Sequence, residues 1–292
     1  MNDARPRRMW LVFALAAMLI PCGSATAYPA VWAVTGGDST VYLFGSVHLL
    51  PEGGFAIAGE LESAYRDADR VCLEVDIGAL TPTEVLQVTL ARAVDPEGRG
   101  LLELLGSSAP RIREAAAAAG IDLAQFAAFE PWFTGISIAV MALQQHGYAA
   151  DHGVEQVIQR AAERDGKPGC GLETLDEQLE VLDSLAADEQ QKLLLRSLEE
   201  ARDIEAETTR LYQAWREGAD ESFAQELVDD FADYPELAER LIYARNARWA
   251  DQVAALLKQQ DDVLVVVGAL HLVGDRGLPA MLVQRGFRVD RR

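Results

Sequence analysis

Positive charge is scarce in this sequence. Lys and Arg together number 26 among 292 residues, against 46 Asp and Glu, which gives a formal net charge of −20. Such a chain offers no overall positive field to phosphate backbones or anionic lipids, so nucleic acid is not an expected partner. The composition, with 50% hydrophobic and 7% aromatic residues, is that of a globular domain and excludes disorder, collagen and coiled coils.

The N-terminal apolar run is too short to cross a membrane. Met9–Ile20 would rise only about 18 Å as a helix, against a hydrocarbon core of roughly 30 Å. Three arginines precede the run and Ala-Thr-Ala follows it at positions 25–27, so we predict a signal peptide over residues 1–27 that is cleaved before Tyr28. We expect residues 28–292 to form a single domain, periplasmic or secreted, with no transmembrane span.

Cysteine is also scarce, with three residues in the chain. Cys22 falls in the predicted leader, and the proline before it is unusual for a lipid attachment site, so a lipoprotein is not favoured. Cys72 and Cys170 remain, both in short apolar segments that we expect to be strands. Two buried free thiols are the favoured interpretation, and a disulfide is the alternative in an oxidising compartment. Two cysteines so far apart cannot supply a thiolate cage for zinc.

The two ends of the chain carry the patterns of β-strands. Val31–Thr35 and Thr40–Val47 are separated by a Gly-Gly-Asp-Ser turn, and Arg70–Val75 alternates apolar and polar residues. Val263–Val267 is uninterrupted, as in a strand buried on both faces. We therefore predict an α/β fold (α+β-like) with a central mixed β-sheet built from both ends of the chain, and a large helical insertion at about 81–260.

Three elements of the insertion are expected from their patterns. Trp132–Leu143 is apolar nearly all round, which predicts a buried helix. Cys170–Leu172 reads as a short strand. Asp188–Trp215 has apolar residues near helical spacing with charge on its other faces, which predicts one long surface helix.

Only four histidines occur in the chain, and two of them share one local context. His48 and His271 each end a G-x-x-H motif directly after a predicted strand, at the edge where open α/β sheets bind ligands. Neutral imidazole is the commonest metal ligand. The shared setting favours a joint functional role for this pair. His146 is expected to be structural because it ends a helix, and the role of His152 stays open.

Four charged residues stand out from their surroundings. Glu74 lies within an apolar strand pattern and Glu173 ends another, so both favour a functional role. Asp151 fits a helix N-cap and a functional carboxylate equally well. Arg245 falls on the apolar face of the predicted helix Pro235–Leu257. It therefore needs a carboxylate or a substrate anion, unless its guanidinium reaches solvent.

Six short motifs occur in a fixed order along the chain. They are G-S-x-H-x-x-P from Gly45, L-E-x-D from Leu73, G-x-E from Gly153, G-K-P and G-L-E-T between Gly166 and Thr174, R-N-x-x-W-A from Arg245, and G-A-x-H-L-x-G-x-x-G from Gly268. In this order, from about Trp32 to Phe287, they resemble the TraB/PrgY/GumN family. That family is related to the TIKI proteases, which depend on a divalent metal, and more distantly to erythromycin esterase-like and ChaN-like folds.

The resemblance implies a metal site and a class of reaction. The site would be formed by His48 and His271 together with Glu74 and Glu173. We expect an exported metal-dependent hydrolase, metalloprotease-like, that cleaves a peptide or ester bond with bound Mn²⁺, Co²⁺ or Zn²⁺. One glutamate would serve as ligand and the other as general base, in an order that the sequence leaves open. Arg245 would pair with a carboxylate or stabilise the oxyanion.

Ser46 and Asn246 are expected to contact the substrate. Two alternatives to the enzyme remain. The first is a non-catalytic module that binds and sequesters a peptide in the same cleft, as in pheromone shutdown by PrgY-type members. The second is an exported scaffold that presents the helix Asp188–Trp215 to a partner. HExxH, GxSxG and phosphate-loop motifs are absent from the sequence, which argues against zincins, serine hydrolases and nucleotide-dependent enzymes.

The predicted leader can be tested on protein recovered from the cell envelope. N-terminal sequencing should find Tyr28 as the first residue, because the small residues before it suit signal peptidase. Intact mass measured on the same sample is the check. A mature chain that still begins at Met1 would contradict export through this leader.

Overall fold

A computed structural model describes residues 29–202, 204–218 and 235–292. The predicted leader therefore lies outside the described residues. Eight strands are present in this part of the chain: β1 (Val31–Thr35), β2 (Val41–Ser46), β3 (Leu50–Pro51), β4 (Arg70–Leu73), β5 (Tyr148–Ala149), β6 (Gly169–Gly171), β7 (Val263–Gly268) and β8 (Arg288–Arg291). Six of them form one sheet in the order β6-β4-β7-β2-β1-β8, and β3 pairs with β5 in a separate two-stranded sheet.

The six-stranded sheet is mixed. β6, β4, β7 and β2 run parallel to one another, and β1 is antiparallel to both β2 and β8. β1 and β2 form the predicted hairpin, while β7 and β8 come from the far end of the chain. The prediction of an α/β fold with a mixed sheet built from both chain ends is thus confirmed.

Helices fill most of the described chain between β4 and β7, and one further helix lies before β4 and another after β7. Those described are α1 (Gly59–Asp67), α2 (Pro82–Ala93), α3 (Leu101–Leu105), α4 (Ala109–Ala119), α5 (Pro131–Gln145), α6 (Val154–Asp165), α7 (Leu175–Asp183), α8 (Ala187–Glu200), α9 (Ile204–Arg216), α10 (Pro235–Ala238), α11 (Ala244–Leu256) and α12 (Leu278–Gln284). Capping boxes at Thr81 and Thr174 start α2 and α7. The predicted buried helix is α5, and β6 lies in the main sheet although it belongs to the insertion.

Both faces of the central strand β7 are covered. Leu264 and Val266 pack in one core with α1, α6 and α9, whereas Val263, Val265 and Val267 pack in the other with α11 and α12. Every residue of β7 is buried, as its uninterrupted apolar run predicted. Packing thus covers the sheet on both sides of β7, and its parallel strands end together at one edge.

The prediction of one long surface helix over Asp188–Trp215 is wrong. Its range holds two helices, α8 and α9, interrupted between Glu200 and Ile204. Leu194 and Leu198 are buried in a helical cluster, while Trp215 packs against Phe44 of β2. The physical reason is that the two apolar faces enter different cores, which one straight helix cannot reach.

The prediction of two buried free thiols is also wrong, because Cys72 and Cys170 form a disulfide. They lie directly opposite each other in the parallel pair β4–β6, with Cα atoms 4.4 Å apart. The register of the two strands brings the cysteines together. Their separation of 98 residues in the sequence does not indicate this register. A disulfide is typical of exported proteins. None of the described helices is both long and apolar enough to cross a membrane.

Loss of the disulfide should lower stability. The bond closes a loop across 98 residues, so the variant Cys72→Ala/Cys170→Ala should lose about 2–4 kcal/mol in the free energy of unfolding, measured with urea. A reducing agent should shift the wild-type midpoint in the same direction and leave the variant unchanged. Identical midpoints for oxidised and reduced wild type would contradict the stabilising role.

Candidate functional site

The carboxyl ends of four parallel strands meet at one edge of the sheet. His48 follows β2, Glu74 follows β4, Glu173 follows β6, and His271 lies in the turn Ala269–Leu272 after β7. Glu74 is thus the first residue beyond its strand, not inside it as predicted. The Glu173 backbone N–H donates to the Glu74 carbonyl oxygen over 2.9 Å. This is the edge at which open α/β sheets bind ligands.

Glu74 is buried and ionised. Its Oε1 accepts a hydrogen bond from the backbone N–H of Gly268 at 2.6 Å, and its Oε2 accepts from Gln178 Nε2 at 3.0 Å and from Arg245 Nη2. Burial by itself would raise the pKa of Glu74. The charges of Arg245 and His48, with the hydrogen bond from the Gly268 backbone N–H, outweigh burial and lower that pKa to about 2.

Arg245 lies between two buried carboxylates. Its Nη2 donates to Glu173 Oε1 at 2.6 Å as well as to Glu74, and its guanidinium stacks on Trp249 with the carbon 4.5 Å from the ring centre. Burial would lower the pKa of Arg245, but Glu74 and Glu173 raise it above the ordinary value. The guanidinium therefore stays charged. It is buried and does not reach solvent, and it has two carboxylate partners, Glu74 and Glu173, where the sequence predicted one.

A π-helical turn precedes this arginine. Glu239–Tyr243 is π-helical and leads directly into α11, whose second residue is Arg245. The wider turn shifts the hydrogen-bond register by one residue. The Arg245 side chain donates from Nη1 to the Leu241 carbonyl oxygen at 2.9 Å. The turn and this bond together direct the guanidinium towards the strand ends.

Glu173 forms ion pairs with two arginine side chains. Arg245 Nε donates to its Oε1 at 3.1 Å, and Arg248 Nη2 donates to its Oε2 at 3.1 Å. Only 2% of the Glu173 side chain is exposed. Both carboxylate oxygens are thus engaged by guanidinium groups.

His271 is held by Asn246. Its Nδ1 lies 2.6 Å from Asn246 Oδ1, while Asn246 Nδ2 donates to the carbonyl oxygens of His271 (3.3 Å) and Arg276 (2.8 Å). The amide oxygen must then accept, so the proton of the neutral imidazole is assigned to Nδ1. Burial, helped by the charges of Arg245 and His48, lowers the pKa of His271 to about 3. Its Nε2 is an acceptor, 3.2 Å from Arg245 Nη1.

His48 has a different partner. Its Nδ1 lies 2.6 Å from Glu155 Oε1, and that carboxylate raises the pKa of His48 to about 9. The Ser46 hydroxyl donates to the same Oε1. Glu155 was missing from the predicted site residues, although the G-x-E motif at Gly153 contained it and was the signal that could have found it.

The histidines and Glu74 border one space beside Gly268. A Cβ atom at this glycine would lie 3.2 Å from Glu74 Oε1, 3.5 Å from His271 Cδ2 and 4.0 Å from His48 Nε2. A side chain there would occupy the space that these groups face. The glycine of the second G-x-x-H motif therefore keeps the site open.

The donor types suit a divalent ion, since imidazole nitrogen and carboxylate oxygen bind Mn²⁺, Co²⁺ and Zn²⁺. Within the described residues, no group of three or more His, Cys, Asp or Glu side chains is arranged to hold a metal. The guanidinium of Arg245 contacts both glutamates and lies 3.2 Å from His271 Nε2. The ligand roles of the four predicted residues stay predictions.

Two of the remaining predicted residues contact groups of the site. Ser46 and Asn246 are buried and bonded to Glu155 and His271, so their substrate contact stays a prediction. Asp151 and His152 form part of the turn Ala150–His152 that precedes α6. His146 is the C-cap residue of α5, at the helix end where the sequence predicted it.

The chain is similar to known proteins over nearly its whole length. The model of the TraB/PrgY/gumN family matches residues 30–291. The protein YbaP of Escherichia coli (strain K12) is 22% identical over 260 residues, which cover 89% of this chain and 94% of YbaP. YbaP of Shigella flexneri matches with the same identity and coverage. No solved structure matches the chain.

Arg245 should be essential to stability. Arg245→Met leaves two buried carboxylates without their cation, so the free energy of unfolding should fall by about 3–5 kcal/mol. Arg164→Gln is the control, because its ion pair with Asp165 is exposed and should cost at most about 1 kcal/mol. Urea unfolding of both variants measures the difference. Equal stability of Arg245→Met and wild type would refute the role assigned to this cation.

Proposed function

The chain belongs to the TraB/PrgY/GumN family, and we propose that it is an exported metal-dependent hydrolase whose active site is the strand-end cluster beside Gly268. One observation carries the proposal: His48 Nε2, His271 and Glu74 Oε1 all border the space that this glycine keeps open. Export, to the periplasm or out of the cell, is supported by the disulfide and the predicted leader.

His48, His271 and Glu74 would hold the ion. When bound, a divalent ion supplies a water of lowered pKa and polarises a carbonyl group. His271 is suited to ligation because its pKa is lowered and its Nε2 carries the lone pair. His48 would have to give up its proton on binding, since ligating imidazole is neutral.

Arg245 and Glu173 would have a different task. Both oxygens of Glu173 accept hydrogen bonds from guanidinium groups, which leaves it poorly suited to take a proton from water. We assign Glu173 to orienting Arg245. The guanidinium then provides a fixed positive charge at the site, suited to an oxyanion that develops as a peptide or ester carbonyl is attacked.

One observation favours the second candidate, a peptide-binding module without turnover. Glu74 and Glu173 are already paired with Arg245, and the described residues include no ligand set arranged for a metal. A cluster whose carboxylates are already ion-paired can bind a peptide without cleaving it. Family membership is compatible with both candidates.

Metal removal separates the two candidates. Protein spanning residues 28–292 is stripped with a chelator, then given Mn²⁺, Co²⁺ or Zn²⁺, and cleavage of a peptide library is followed by mass spectrometry. Cleavage should disappear with the metal and return on its addition. His48→Ala and His271→Ala should each lose at least about 10–100-fold in activity, while His146→Ala, at the end of α5, should retain it.

Two results would count against the hydrolase. Full activity in the double variant of His48 and His271, with the fold intact by circular dichroism, would remove the active site from this cluster. Peptide binding that is tight, produces no cleavage and ignores the chelator would instead support the sequestering module.

A further inference from the structure

We propose that Glu155, anchored by Ser46, is a positioning residue that holds the imidazole of His48 with Nε2 directed at the space beside Gly268. Its consequence for metal affinity rests on the proposed function. Neither Glu155 nor a positioning role for Ser46 follows from the ligand set that the family resemblance implies. The contacts of the two histidines carry the proposal.

His48 cannot be fixed by packing alone. Its side chain is 42% exposed, whereas that of His271 is 6% exposed and lies against Trp249, with ring centres 4.5 Å apart. An exposed side chain loses rotamer freedom when it is held in one orientation. His48 therefore needs a tether, and the contact of Nδ1 with Glu155 Oε1 at 2.6 Å is that tether.

The tether is itself fixed at both ends. Ser46, the last residue of β2, is buried and donates its hydroxyl to the same Oε1. Glu155 lies in the first turn of α6, and the backbone N–H of Val154 donates to the Val47 carbonyl oxygen at 3.1 Å. The start of the helix is thus bound to the segment that carries His48.

Gly153 makes this approach possible. A Cβ atom at Gly153 would lie 2.0 Å from the His48 carbonyl oxygen, so any side chain would push α6 away from the histidine. This close approach explains the G-x-E motif. Its glycine lets the helix touch the turn after β2, and its glutamate then reaches the imidazole.

The two histidines are held by unlike partners. Asn246 offers His271 a neutral amide oxygen, whereas Glu155 offers His48 a carboxylate. Either partner fixes the orientation of the ring by accepting from Nδ1–H, which directs Nε2 towards the site. A carboxylate also makes the ligating nitrogen more basic, and removing such a partner typically costs 10–100-fold in metal affinity.

Four variants test the assignment by two measurements. Glu155→Ala removes the tether, Glu155→Gln keeps an amide oxygen like that of Asn246, and Ser46→Ala removes the anchor. Glu163→Gln, on the same helix and exposed, is the control. Crystal structures of the metal-free proteins report the orientation of the His48 ring, and calorimetry with Co²⁺ alone reports affinity.

Glu155→Ala should turn the His48 ring away from Gly268 and weaken Co²⁺ binding by about 10–100-fold. Glu155→Gln should keep the ring orientation and lose less affinity, Ser46→Ala should fall between these two, and Glu163→Gln should match wild type. An unchanged ring in both Glu155→Ala and Ser46→Ala would overturn the proposal. If wild type binds no Co²⁺, the proposed function fails, and the ring orientation alone then decides the positioning role.

Discussion

The buried guanidinium of Arg245 is the contact on which the site depends. Two carboxylates, Glu74 and Glu173, lie side by side at the ends of neighbouring strands with almost no access to water. Without a cation between them, one would take up a proton or the strand ends would separate. Arg245 joins them across sequence separations of 171 and 72 residues. The ion pairs therefore link α11 to the ends of both strands.

This arrangement also explains why the site contains two unlike histidines. His271 lies within the field of Arg245 and is buried, so it is neutral and its Nε2 is an acceptor. His48 lies towards solvent, beside Glu155, and favours its proton. The two G-x-x-H motifs look equivalent in the sequence, yet their surroundings give the two imidazoles opposite electrostatic character. A divalent ion would have to overcome both the proton on His48 and the guanidinium near His271.

Sequence patterns predicted the features that depend on local periodicity. The uninterrupted Val263–Val267 indicated the central strand, the shared G-x-x-H motif indicated that two distant histidines meet, and the helical period placed Arg245 on a buried face. Features that depend on register or on approach between elements were missed or kept only as an alternative. The Cys72–Cys170 disulfide required the register of β4 and β6, and Glu155 required the contact of α6 with the turn after β2. The break in Asp188–Trp215 depended on which core each half entered.

Under the proposed function, one divalent ion would bind between His48, His271 and Glu74. Anomalous X-ray diffraction from crystals of the protein loaded with Co²⁺ tests it most directly. One strong anomalous peak is expected beside Gly268, about 2 Å from Nε2 of both histidines, with Arg245 shifted away from His271. A peak elsewhere in the protein, or no peak although both histidines remain in place, would contradict metal binding at this site.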